Sequence, residues 1–193
     1  MPRIVAAAVL ASLFACSHPP ARQLPDLGEV TIPAGAMTDE RGRAITTDDL
    51  RGAVTVADFV FTRCRSTCPA VTLRMRGVQD QTRGLGAKVR LFSFSVDPEF
   101  DTPAVLAAYA RKAGADPTRW RFVTGDRSAM FATIEKGFEL PVDPQAAQSG
   151  DVPNILHSQR FALLDQSGHL RGTYDSSDKA AVDQMLRDIH SLL

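Results

Sequence analysis

Two cysteines stand with three residues between them in Cys64-Arg65-Ser66-Thr67-Cys68-Pro69. A thiol pair at that spacing suits disulfide exchange or capture of a soft metal ion, because the thiolate is both nucleophile and ligand. Pro69 fits the first turn of a helix, whose free N–H groups and dipole would favour a thiolate at Cys68. Arg63 and Arg65 flank Cys64 and would act in the same direction. A structural disulfide, or two buried thiols, is the alternative. Asp97, before Pro98, is a candidate carboxylate for orienting a ligand or taking a proton, or else a turn aspartate. Among the four histidines, His157 alone joins a long loop to a predicted buried strand, which makes it the candidate imidazole ligand. A surface or core histidine is the plainer reading of it.

The elements that must position these groups follow from periodicity and caps. Val54 to Phe61 is β-branched and aromatic, a buried strand leading into Cys64. Val71, Met75 and Val78 recur at helical spacing until Gly84 and Gly86. Val89 to Val96 is a second strand, so strand, helix and strand form a βαβ unit with parallel strands and a right-handed crossover. Asp97 then emerges on the same sheet edge as the cysteine loop, where sites form in parallel sheets. Thr102, Pro103 and Gly114 punctuate the next helix, Trp120 to Val123 is a short strand, and Asp126 caps a helix running to Gly137. Phe161 to Leu164 and Leu170 to Tyr174 form a hairpin, and Asp178 opens a last helix through Val182, Met185 and Ile189. Ala36 to Ile45 reads as an N-terminal hairpin turning at Asp39 to Gly42. The sum is an α/β domain of thioredoxin type, with a central mixed sheet and helices on both faces. Glu139 to Leu156 has three prolines and Gly150, and a loop that long is uncommon unless functional or mobile.

Ahead of this domain, Arg3 and the apolar run Ile4 to Ala15 read as an export signal, too short for the ~20 residues of a membrane span. Leu13-Phe14-Ala15-Cys16 resembles the bacterial lipobox, which implies lipid attachment at Cys16. The expected organisation is a signal peptide over 1–15, a lipid-bearing cysteine and tether over 16–34, and the folded domain over 35–193. Export places the thiols in an oxidising compartment where a pair has redox meaning. The 22 Lys and Arg balance 22 Asp and Glu, which argues against a nucleic-acid-binding protein, and 44% hydrophobic residues argue against wholesale disorder.

Over residues 35–192 the chain resembles the Sco/SenC family of thioredoxin-like, copper-handling proteins. The likeness rests on Asp48-Asp49-Leu50-Arg51-Gly52, Phe59 to Cys64 with Cys68-Pro69, and Ser95-Val96-Asp97-Pro98-Glu99 with Asp101-Thr102-Pro103. It continues in Trp120 to Gly125 and in His157-Ser158. The resemblance implies a mononuclear site for Cu(I) or Cu(II), with thiolates from Cys64 and Cys68 and an imidazole nitrogen from His157. The lipobox likeness at Cys16 implies a membrane-anchored envelope protein, facing the periplasm or cell exterior. Its partner would be the copper-bearing subunit of cytochrome c oxidase or another envelope copper or thiol protein, supplied with copper, with reducing equivalents, or with both. Arg65 and Leu156 stand where the family often has proline and aspartate. Both changes favour the alternative, a metal-independent thiol–disulfide oxidoreductase, beside which a thiol peroxidase working through a sulfenate also stands.

Overall fold

The structure, a computed structural model, describes residues 22–64, 68–141 and 159–193. A short hairpin, β1 (Met37–Asp39) and β2 (Ala44–Ile45), precedes β3 (Val54–Val60), and α1 (Cys68–Gln81) leads by a 3-10 turn to β4 (Val89–Ser95). After these come α2 (Pro103–Ala113), β5 (Trp120–Gly125), α3 (Arg127–Ala132), the hairpin β6 (Arg160–Leu164) and β7 (Leu170–Asp175), and α4 (Lys179–Ser191). One seven-stranded sheet results, in the order β2-β1-β5-β4-β3-β6-β7.

At its centre β3 and β4 run parallel from Val54↔Val89 to Val60↔Ser95, and β4 and β5 are parallel from Leu91↔Trp120. The predicted parallel βαβ unit is therefore present. Every residue of β3 is buried, as expected for a strand covered on both faces. Val54 and Val56 face a layer containing Val71 and Met75 of α1, Leu106 of α2, and Met185 and Ile189 of α4. Ala57 and Phe59 face Met130, Ile134 and Phe138 together with Val30 and Ile32 of the N-terminal segment. The outer strands are antiparallel, with β1 on β5 and β6 on β3. Gly125 permits the β1 contact, since a Cβ there would lie 2.1 Å from the Ala36 carbonyl oxygen.

The sequence-predicted caps carry the helices. Thr102 accepts a hydrogen bond from the Val105 amide, Asp126 from Ala129 and Asp178 from Ala180. Gly114 ends α2 at φ 69°, a left-handed conformation that suits glycine. Two details differ from expectation. The α-helix after the cysteines stops at Gln81 and passes into a 3-10 helix, Arg83–Lys88, that contains both glycines, while the Thr82 hydroxyl donates to the Val78 carbonyl. The described part of the segment read as a tether lies against the β6–β7 turn. There Leu27 donates to the Leu170 carbonyl, Val30 donates to Gly168, and Leu24, Val30 and Ile32 are buried.

Candidate functional site

The carboxyl ends of β3 and β4 hold the cysteine loop in place. Asp101, fully buried, accepts from the Thr62 hydroxyl at 2.5 Å and the Ser95 hydroxyl at 2.6 Å, and also from the Thr62 amide. The network ties the residues just before Cys64 to the end of the neighbouring strand. Burial raises the Asp101 carboxyl above its ordinary range, although Ser95 and Thr62 pull the other way. Asp97 emerges beside the loop, as its position after β4 predicts. Its carboxylate accepts from Arg63 Nε at 2.8 Å and pairs with Nη2 at 2.6 Å, while the guanidinium lies 4.5 Å from the Phe100 ring centroid. The Asp97 carbonyl also accepts from the Phe100 and Asp101 amides, so the residue forms a turn as well. Arg63 is thus turned to Asp97, and the positive charge expected to act on Cys64 is largely compensated.

Both cysteines are buried, and Cys68 is the first residue of α1. Its amide donates to the Cys64 sulfur at 3.3 Å. The helix start therefore serves Cys64 rather than Cys68, which differs from the sequence expectation. Burial pushes the Cys68 thiol up to about 12, a backbone hydrogen bond at Phe61 opposes the rise, and the Cys64 sulfur adds to it. Two sulfur donors, Cys64 accepting a helix-start amide and Cys68 holding its proton, are a set that fits a soft cation, provided the Cys68 proton leaves.

Polar groups that sequence reasoning missed stand behind the pair. Asp58, in the middle of β3 opposite Ser93, is fully buried, and neither carboxylate oxygen makes a well-formed hydrogen bond. Burial raises its carboxyl to about 7, which Ser93 offsets only in part. The Tyr109 hydroxyl meets that of Thr72 at 2.7 Å, and burial holds the phenol up at about 12. An acid within the apolar run Val54 to Phe61 was a visible signal for Asp58; the Thr62–Asp101–Ser95 network had none, because it joins residues distant in sequence.

His157, Cys16 and Arg65 lie outside the described residues. The structure brings together Cys64, Cys68 and Asp97 of the predicted set. His169 instead pairs with Asp26, at 2.9 Å. Among the described residues no helix is long and apolar enough to cross a membrane.

A dithiol at the carboxyl edge of a mixed sheet, between a buried strand and a helix start, defines a thioredoxin-like dithiol protein. The SCO1/SenC family model matches residues 31–193. The chain belongs to the SCO1/SenC family. A SCO1/SenC family lipoprotein of known structure from Bacillus anthracis str. Ames is 29% identical with a TM-score of 0.74, covering 86% of this chain and 96% of that one. BsSco, a member of the Sco family of cytochrome c oxidase assembly proteins in which a disulfide switch was identified, is 28% identical. Its TM-score is 0.73, over 88% of this chain and 96% of that one. A protein of Stutzerimonas stutzeri, provisionally named as copper-binding, is 28% identical over 145 residues, 75% of this chain and 69% of its own.

Proposed function

We propose that this chain is a membrane-tethered copper metallochaperone with redox-active thiols, which assists assembly of the copper centre of cytochrome c oxidase. The observation that carries the reading is the joining of two soft donors at one helix start, with the Cys68 amide on the Cys64 sulfur. Copper is the cargo. Cys64 and Cys68 would hold it through sulfur and His157 through an imidazole nitrogen, with Cys16 as the lipid attachment point. The copper-binding relative and the oxidase-assembly relative support the cargo and the client, and the lipoprotein relative supports the anchor. Asp97 acts at one remove, by holding Arg63 and neutralising its charge beside a site that must accept a cation. An anaerobic Cu(I) titration of the reduced chain tests this. One equivalent should bind tightly, and both Cys64→Ser and His157→Ala should lose at least tenfold in affinity. Unchanged affinity in both variants would remove copper from the account.

The unlike environments of the two cysteines favour thiol–disulfide exchange as a second activity. The Cys64 thiolate would attack a partner disulfide and release one partner thiolate. Cys68, giving up its proton, would then attack the Cys64 sulfur, leaving an oxidised pair here and a dithiol on the partner.

A further inference from the structure

A cavity of about 270 Å³ opens between α1 and α2 directly beside Cys64, lined in part by Thr72, Leu73, Arg76, Tyr109 and Lys112. Its two ends differ. Near Cys64 the wall is the Thr72–Tyr109 hydroxyl pair and Leu73, which is 69% exposed on a helix whose other apolar residues are largely buried. The far end carries Arg76 and Lys112. Arg76 is laid across Gly114, where a Cβ would come within 2.7 Å of its Nη1. Among the described residues neither Arg76 nor Lys112 forms an ion pair, a state they share with Arg74 and Arg111 of the same two helices, so the α1–α2 pair carries its positive charge unmatched by a bound carboxylate. An exposed leucine between a thiol and two uncompensated cations is complementary to a chain that carries a cysteine, an apolar side chain and an acid, in that order.

The spacing sets the length of that chain. Arg76 is eight positions beyond Cys68 on α1, ~12 Å along the helix axis. An extended peptide advances ~3.3 Å per residue, so about three or four residues cover the span. We propose that this groove receives an extended segment of the partner protein, with the partner's cysteine facing Cys64 and an Asp or Glu three or four residues away against Arg76 and Lys112. The inference rests on reading Cys64 as a reactive thiol and adds the chemistry by which its partner is chosen.

The test uses the full chain with Cys68→Ser, which removes the resolving thiol. Model peptides bear one cysteine, joined as a mixed disulfide to thionitrobenzoate, and carry Asp, Asn or Lys at the fourth position after it. The Cys64 thiolate attacks the peptide sulfur and forms a Cys64–peptide disulfide; the old S–S bond breaks and thionitrobenzoate leaves as the coloured thiolate. No outside oxidant is needed. At low salt the Asp peptide should react on the order of tenfold faster than the Lys peptide, with Asn between. Arg76→Gln with Lys112→Gln should level the three rates, and Arg76→Glu with Lys112→Glu should reverse their order. Equal rates in the parent chain, or an order that survives charge reversal, would overturn the groove while leaving the thiol reading intact. Equal enhancement with the glutathione–thionitrobenzoate disulfide would overturn it in favour of a small acidic thiol. Failure of every peptide to react would overturn both.

Discussion

The two sulfurs stand in unlike surroundings although both are buried. Cys64 receives an amide hydrogen at the start of α1, while Cys68 is held protonated by its apolar surroundings. A metal that takes both sulfurs must displace the Cys68 proton, so binding and proton release are coupled. Apparent Cu(I) affinity should therefore rise about tenfold per pH unit between about pH 6 and pH 8 for each proton displaced. Calorimetry in buffers of different ionisation enthalpy counts the released protons, and a pH-independent affinity would contradict the assignment of Cys68 as a ligand. The Arg63–Asp97 pair belongs to the same scale: an arginine beside the proposed cation site is tolerable once its charge is matched.

At the scale of elements, β3 does two opposed jobs. It is the most buried strand and it delivers the cysteines, yet it carries Asp58 with no well-formed hydrogen bond to its carboxylate. The carboxyl titrates at about 7 when folded and at 3.8 when unfolded, so between these values the folded state binds the extra proton. Asp58 therefore lowers stability as pH rises from about 4 to about 7, and its charge costs most above that range. Asp58→Asn should be near-neutral at pH 4 and stabilising by on the order of 2 kcal/mol at pH 8, read from urea unfolding at both. A gain equal at the two pH values would place the cause outside the carboxyl. The helices were legible because their caps are local: Thr102 with Gly114, Asp126 and Asp178 each stand within a few residues of what they bond. The end of α1 was legible only to within a turn: the α-helix gives way at Thr82 to a 3-10 helix over Arg83–Lys88, which contains both glycines and breaks at Gly86, φ 56°.

In the molecule as a whole, the sheet brings the ends of β3 and β4 to one edge, so that the loops bearing Cys64 and Asp97, 33 positions apart, lie side by side and Asp97 reaches Arg63. That much followed from strand, helix and strand in sequence, because a right-handed parallel crossover has one outcome. The docking of β6 on β3 and the strap of residues 24–32 on the β6–β7 turn did not follow. Both depend on pairing between remote segments, to which local pattern is blind. The same holds for the α1–α2 groove, whose cations come from two helices. Zero net charge over the chain hides this local excess of positive charge. The site was legible in its residue types and order, from Cys64 and Cys68 to Asp97, but the unequal states of the two sulfurs were not, since burial decides them. X-ray absorption at the copper edge of the Cu(I)-loaded, reduced chain tests the central claim most directly. Two sulfur scatterers and one nitrogen are expected, with the nitrogen lost in His157→Ala; a sulfur-only shell, unaltered by that substitution, would contradict the account.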